Sequence, residues 1–537
     1  MTSSNPLRLA SRILIAAAAL ILFGYLLVYI GYAVNLIQFP FDYDQGEGFE
    51  LVDTVLFSQG QFPYRNTDAF PFYSSNYPPL FHVIAAPFVW LFGPAYWYGR
   101  LLGFLGTLVT ASAIGLAVLR EGRRRDIALL AGLAFLASNT IYHIGPLFRQ
   151  HMTMVMFETL AVVILAGANE IEDTGRRRRV IALGLALILC AGYTKQLAIF
   201  TAVAAFAFLF IRQPRRAVVA GIGFALVGGL IFVWMNWATQ GEWWRQAIRA
   251  NVNTINFDQT VGLFRLWWNL HGFLIVPAVL LVVYQVYFDR ISIYALWFAA
   301  SLGQGVLSGT WGGGDSYFAT SIAALCVLSG IFIAKMLNRD WAFEENYLTR
   351  LLIRPLRFLG KPLSMTALIV LPVLYIGYGY AVLHLPTQAA GFSTIASVIG
   401  VQPNALNGFY DSATRIVGGY ADIGHYTTQS DIDAGWRIVA MIRDSGQLAL
   451  SEEAGFQLQA GQEVVTNPTQ LLNLANNGIF NGEALIGMIE RREFGVVILR
   501  AQFYPIEVLQ AIMRNYIQTE TVPMNGFDYL VLRPREG

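Results

Sequence analysis

The 537-residue sequence predicts a polytopic α-helical membrane protein of about eleven spans, with a C-terminal extracytoplasmic α/β domain. Three observations carry this expectation. Hydrophobic residues make up 55% of the chain and charged residues only 13%, a balance foreign to soluble domains. Apolar runs able to cross roughly 30 Å of hydrocarbon recur through residues 1–384. Basic residues crowd onto alternate connections between those runs, and after residue 384 the composition turns soluble.

The spans are read at 12–34, 98–119, 126–142, 152–168, 180–194, 197–212, 217–238, 268–287, 291–308, 317–337 and 364–384. The first follows Arg8 and Arg12. Its apolar core, Ile13–Ile30, is too long for a cleaved signal and no small-x-small site follows, so it reads as a retained span. A shorter run at 79–93 reads as a half-buried or interfacial helix. Arg120, Arg123–Arg125, Arg176–Arg179, Arg212, Arg215, Arg216, Arg290 and the six cations from Lys335 to Lys361, Arg357 among them, fall on the same side as Arg8 and Arg12. The positive-inside rule makes that side cytoplasmic, in a plasma (inner) membrane, with the N-terminus inside and the C-terminal domain outside. Cys190 and Cys326 both lie in expected spans, so no disulfide framework is expected. The net charge of +2 is topological and points to no nucleic-acid partner.

The first outer loop, 35–80, carries Asp42, Asp44, Glu47, Glu50, Asp53 and Asp68 against one basic residue, Arg65. Acidic groups where helix meets water are costly and mark substrate sites. From Phe49 the apolar positions 49, 51, 52, 55 and 56 form a helical stripe that Gly60 ends. Asp44 and Glu47 therefore stand at the start of a surface helix, where they either cap its dipole or act on a substrate. Beyond residue 384, 385–430 reads as a linker and 431–537 as the α/β domain. Strands are expected at Gln447–Ser451, Val496–Leu499 and Phe527–Leu532, and helices at Gly482–Arg491 and Pro505–Asn515, giving a partly parallel sheet. No repeat of 20–50 residues is present.

Several outer residues carry chemistry. Asp42, Asp44 and Glu47 are candidate acid–base groups, with Glu47 preferred because Gly46 and Gly48 free the backbone around it. Asp42-x-Asp44 also leaves room for a divalent cation, although no metal is required. Lys195, alone among lysines outside the cytoplasmic loops, either snorkels to the interface or meets an anion. Arg149, flanked by His143 and His151, suits bidentate phosphate contacts, and the two histidines lack partners for a zinc site. Asp315, in the loop Gly309–Asp315, is placed to pair with Lys195 or to bind sugar hydroxyls. The segment 239–268, with Trp243, Trp244, Trp267 and Trp268, reads as an interfacial aromatic belt or a mobile loop over a lipid.

Pro40-Phe-Asp-Tyr with Gly46-Glu-Gly48, then Gly60-x-x-x-Tyr64-Arg and Asn76-Tyr77-Pro-Pro-Leu80, resembles bacterial glycosyltransferases of the GT-C superfamily, of the dolichyl-phosphate-mannose-transferase-like type (family 39). Thr194-Lys195-Gln196, Gly314-Asp315-Ser-Tyr317-Phe318 and Ser451-Glu-Glu-Ala-Gly455 are similar to later motifs of that family, in the same order along nearly the whole chain. Arg149-Gln150-His151 departs from an Arg-x-Asp pattern, and Ser316 stands where relatives carry Asn. The resemblance implies inverting-type transfer of a sugar from a polyprenyl-phosphate carrier, with membrane lipids around it, to a glycan, lipid or protein acceptor in the cell envelope. It implies that Lys195 faces the leaving phosphate, with Arg149, Asp315, Tyr77, His151 and Tyr317 as further substrate-binding residues. A protein that binds or transports lipid-linked sugar without transferring it is the alternative. A transporter is the weaker form of it, because no matched pair of Gly/Pro-broken segments recurs in two halves.

The cation pattern sets a topology test. A reporter active only outside the cytoplasm is expected to work when fused after residue 384 or within 60–70, and to fail after Arg125, Arg179, Arg216 or Arg357. Activity at Arg179 would reverse the orientation.

Overall fold

The computed structural model describes residues 6–355, 358, 360–387, 391–404, 409–411 and 425–536, so Arg357 and part of the 385–430 stretch lie outside the described residues. Fourteen described helices precede the first strand: α1 (Pro6–Gln38), α2 (Glu47–Ser58), α3 (Leu80–Phe92), α4 (Trp97–Gly122), α5 (Arg125–Ala137), α6 (Asn139–Ile144), α7 (His151–Ala166), α8 (Thr174–Thr194), α9 (Ile199–Arg212), α10 (Pro214–Ala238), α11 (Phe257–Tyr287), α12 (Ile293–Val306), α13 (Ala319–Asn338) and α14 (Gly360–Ala381). Six of them, α1, α4, α10, α11, α13 with its lead-in from Asp315, and α14, are long and apolar enough to cross a membrane. The other expected spans coincide with shorter or more polar helices. α13 sits at the centre, buried over almost its whole length against α4, α5, α11 and α12.

Three boundaries differ from expectation, each for a local reason. The run 126–142 is two helices, because Ser138 adopts extended backbone (φ −62°, ψ 130°) and its hydroxyl meets His271 Nε2 at 2.9 Å. α8 starts at Thr174, since the Asp173 side chain accepts the N–H groups of Gly175 and Arg176; the run Arg176–Arg179 is therefore helical. α11 starts at Phe257, where Asn256 caps the Gln259 N–H, so 257–267 is helix and not loop. The aromatic belt is only partly a belt. Trp243 is buried edge-on against Tyr64 and Trp267 stacks on Phe318, while Trp244 and Trp268 stay exposed.

Residues expected to be linker include a small antiparallel sheet of β1 (His384–Pro386), β2 (Pro403–Asn404) and β3 (Phe409–Asp411), in the order β1-β3-β2, and helix α15 (Phe392–Ile399). Then follow α16 (Gln429–Asp444), β4 (Leu448–Ser451), α17 (Ala454–Ala460), α18 (Pro468–Asn476), α19 (Glu483–Glu490), β5 (Phe494–Leu499), α20 (Ile506–Asn515), β6 (Tyr516–Met524) and β7 (Phe527–Pro534). The sheet order is β4-β5-β7-β6, with β4 parallel to β5 and the remaining pairs antiparallel. β6 is an edge strand with five exposed residues and Pro523, which hid it from a hydrophobic pattern. This unit packs on the first loop. Asn525 Nδ2 donates to Tyr43 O (3.1 Å), the Gly455 N–H to Asp42 (3.0 Å), and Phe41 lies against Trp436 and Phe456. The acidic loop and the C-terminal sheet thus share one end of the bundle.

α4 meets the 145–148 segment through glycines. A Cβ on Gly103 would lie 2.6 Å from Gly145 O and 2.7 Å from Leu147 O, backbone atoms that cannot rotate away. Gly103→Leu is expected to cost about 1–3 kcal/mol or more through forced separation, read as a lowered unfolding temperature in detergent. Gly192→Leu, where nothing lies within 4 Å, serves as the tolerant comparison.

Candidate active site

Two residues from different elements set the loop after α1. Arg100, in the first turn of α4, is completely buried. Its guanidinium donates to the carbonyls of Leu36 (2.6 Å), Phe39 and Phe41 (2.7 Å), which are the last turn of α1 and the turn beyond it. Its remaining donors go to both oxygens of Glu47, at 3.0 and 2.8 Å. Glu47 also accepts the N–H groups of Phe148 (2.6 Å), Tyr43 (3.0 Å) and Asp44 (3.3 Å). Burial alone pushes the Glu47 carboxyl up, but Arg100 and these N–H groups outweigh it and hold it below its ordinary range. With five donors on two oxygens and no exposure, Glu47 is not placed to take a proton from a substrate. Glu47, expected as the preferred base, does not line the cavity described below, and its bonds anchor the loop.

Asp42 is an anchor of a second kind. It accepts the Gly48 N–H (2.6 Å), the Tyr96 hydroxyl (2.8 Å) and the Gly455 N–H, tying loop, α4 and the C-terminal unit together. Burial lifts its carboxyl to about 6, against the pull of those donors. It does not line the cavity described next. Gly46 and Gly48 are glycine for another reason than ligand approach. A Cβ on Gly46 would strike the Arg149 guanidinium, and one on Gly48 would strike Asp42.

Asp44, Arg149, His151, Lys195, Asp315, Tyr77 and Tyr317 all line one cavity of about 500 Å³. Arg149 places Nε 2.6 Å from Asp44 Oδ2, with Nη2 on the same oxygen, and Nη1 3.3 Å from Glu50. Asp44 Oδ1 keeps its lone pairs without a hydrogen bond among the described residues. Lys195 stands in extended backbone between α8 and α9, its Nζ on His151 Nε2 and 5.0 and 5.2 Å from the ring centres of Tyr77 and Tyr317. Burial and the nearby Arg149 charge push Lys195 down to about 7. Among the described residues no ion pair joins it to Asp315, which interacts with Thr140. Gln196 grips the carbonyls of Asn76 (3.0 Å) and Ala247 (2.8 Å), so the Lys-Gln pair holds the Tyr77 turn in place.

Sequence reasoning missed several members of this neighbourhood. Glu50 lines the cavity and is held by Gln150 (2.5 Å) as well as by Arg149; burial lifts its carboxyl to about 7 despite both. Gln150 and His151, the departure from Arg-x-Asp, therefore have partners here in Glu50 and Lys195. Asp53 and His82 lie below Glu50. Asn467 and Asn473 of α18 bring the C-terminal unit to the cavity wall. Only the i, i+3 spacing of Glu50 and Asp53 was a usable signal for this group.

Residues 69–217 match the family model described as dolichyl-phosphate-mannose-protein mannosyltransferase. The structure of ArnT from Cupriavidus metallidurans bound to undecaprenyl phosphate superposes with a TM-score of 0.55 at 14% identity, over 96% of this chain and 97% of that one. The chain has the fold of the GT-C glycosyltransferases. The apo oligosaccharyltransferase of Archaeoglobus fulgidus gives a TM-score of 0.51 at 11% identity, over 94% of this chain and 73% of that one. No curated protein sequence matches the chain. On this GT-C fold the acidic loop, the Asn76-Tyr77 turn and the Lys195 break converge at one end of the bundle.

Arg100 and Glu47 give a stability test. Arg100→Met leaves a buried carboxylate unpaired and is expected to cost about 3–5 kcal/mol, with loss of folded yield. Glu47→Gln should show the same kind of loss, whereas Asp44→Asn, which leaves Arg149 its contact with Glu50, should lose less; thermal unfolding in detergent distinguishes them.

Proposed function

We propose that the protein transfers a sugar from a polyprenyl-phosphate carrier to a hydroxyl of a cell-envelope glycan, lipid or protein on the extracytoplasmic face, with inversion at the anomeric carbon. The observation that carries this reading is that Asp44, whose Oδ1 has no hydrogen bond among the described residues, and Lys195 line one cavity. Asp44 takes the proton from the acceptor hydroxyl as its oxygen bonds to the anomeric carbon. The bond from that carbon to the phosphate oxygen breaks, and the carrier phosphate leaves as an anion toward Lys195. Arg149 directs its donors to Asp44 and Glu50, so it orients the base and is not the main phosphate ligand. Tyr77 and Tyr317 confine Lys195 between their rings, and Asp315 faces the sugar hydroxyls. The likeness to a structure holding undecaprenyl phosphate supports a lipid-phosphate donor. The cation pattern supports the outer face and the plasma membrane.

Binding of lipid-linked sugar without transfer is the second reading. It draws on Arg149-Gln150-His151, where relatives carry a further carboxylate. Transfer from a radiolabelled polyprenyl-phosphate sugar in membranes separates the two.

For transfer, Asp44→Asn is expected to lower turnover about 10²–10⁴-fold while donor binding persists. Lys195→Met should weaken donor binding itself. Because Lys195 sits near 7 in the empty site and an arriving phosphate favours its protonated form, donor affinity should be highest below pH 7 and fall as pH rises above it. Lys195→Arg should flatten that dependence. Near-normal turnover in Asp44→Asn would remove the base assignment, and unchanged donor affinity in Lys195→Met would move the phosphate to the 245–265 segment.

A further inference from the structure

Below the cavity, Glu50, Asp53 and His82 form a cluster to which the transfer reaction assigns no chemistry. Glu50 and Asp53 lie one turn apart on α2, and His82 stands in the first turn of α3; all three are buried, His82 completely. His82 Nε2 is 3.3 Å from Glu50 Oε2 and 3.7 Å from Asp53 Oδ2, and the three ligand atoms lie within 4.8 Å of one another.

The protonation of His82 can be read from its other side. The Thr54 hydroxyl donates to Glu50 O at 2.7 Å, so its proton is committed. His82 Nδ1, 3.4 Å from that hydroxyl oxygen, is then the donor, and the ring proton sits on Nδ1. Nε2 is left with a bare lone pair facing two carboxylate oxygens. An imidazolium would donate from Nε2, yet at 3.3 Å the N–H direction misses Glu50, and Nε2 makes no hydrogen bond although it is shut away from solvent. Three such lone pairs facing one another call for a positive charge between them, a shared proton or a metal ion.

We propose that Glu50, Asp53 and His82 bind one divalent transition-metal ion, Zn²⁺ by ligand type. Separations of 3.3 and 3.7 Å fit the edges of a tetrahedron of about 2.1 Å radius, the usual Zn–N and Zn–O distance. The outer partners are those of a metal site. Thr54 orients the imidazole, Tyr73 (2.8 Å) and Ser75 hold Asp53, and Gln150 holds Glu50. The ion would staple α2 to α3 across the 59–79 loop, which carries Tyr77, and fix Glu50 beneath Arg149. The site shares no residue with the Asp42–Asp44 pair.

The test uses the full chain in detergent, stripped with a chelator and titrated with Zn²⁺ and with Co²⁺ as a spectroscopic probe. The expected result is one ion per chain, with visible Co²⁺ bands, retained in His151→Gln and lost in His82→Gln. If His82→Gln does not fold, X-ray absorption at the zinc edge of the wild-type protein decides, with one imidazole among nitrogen and oxygen ligands expected. No Zn²⁺ uptake by the wild type, tight binding that survives His82→Gln, or a zinc shell without imidazole overturns the site. None of these readouts depends on sugar transfer.

Discussion

The candidate site depends on one buried guanidinium. Arg100 gathers three carbonyls from the end of α1 and the turn beyond it, and joins them to Glu47 at the start of α2. A carboxylate that only caps a helix dipole contributes about 0.3–1 kcal/mol. Breaking a buried pair costs about 3–5 kcal/mol, because the charge left behind has no water. The second effect dominates for Glu47, whose carboxylate is committed to holding the loop. Once Arg100 and Glu47 lock the loop, Asp44 projects into the cavity and Asp42 turns toward α4 and the C-terminal unit. The division of labour among three neighbouring carboxylates follows from which of them the buried arginine takes.

The helical bundle was legible because length and hydropathy are one-dimensional properties. Most expected spans coincide with helices, and the C-terminal unit has its partly parallel sheet. The departures came where side chains outside the apolar pattern decide: Asp173 and Asn256 as caps, Ser138 as a polar break, β6 as an edge strand with little to bury. At the site, residue type was legible and direction was not. Asp42, Asp44 and Glu47 occupy a short irregular turn, and no periodicity tells which way an irregular backbone aims its side chains. Only a partner far along the chain does: Gly455 for Asp42, Arg149 for Asp44, Arg100 for Glu47. Glu50, Asp53 and His82 were missed because a helix with an apolar stripe invites the assumption that its acidic face is solvated, whereas α3 and the 145–151 segment cover it.

The Ser451-Glu452-Glu453-Ala454-Gly455 motif is architectural. Glu452 gathers the N–H groups of Arg500, Ala501, Gln502 and Phe503, fixing the loop after β5. Glu453 pairs with Arg500 and accepts from the Tyr529 hydroxyl (3.0 Å), bracing β7. Gly455 then presents its N–H to Asp42. Two buried carboxylates of the C-terminal unit thus exist to aim one backbone N–H at the acidic loop. α18 reaches the cavity wall through its own bonds, Asn467 to Ser74 O (3.1 Å) and Gln470 to Gln246 O (2.9 Å), so the sheet domain is a part of the cavity's construction and not an appendage to the bundle.

The cavity is electrically asymmetric, and the asymmetry gives the proposed transfer a direction. Arg149 is enclosed by Asp44 and Glu50, so its donors are already committed where it stands. Lys195 is different. The tyrosine faces at 5.0 and 5.2 Å attract an ammonium without cancelling its charge. Desolvation and Arg149 leave it near 7, ready to be recharged by an incoming phosphate. The uncompensated positive charge that a leaving phosphate seeks therefore lies at Lys195, and the free carboxylate oxygen that an acceptor hydroxyl seeks lies at Asp44. A sugar held between them has its leaving group on one side and its nucleophile on the other. In the proposed transfer, displacement across that axis would invert the anomeric centre without a covalent intermediate on the protein.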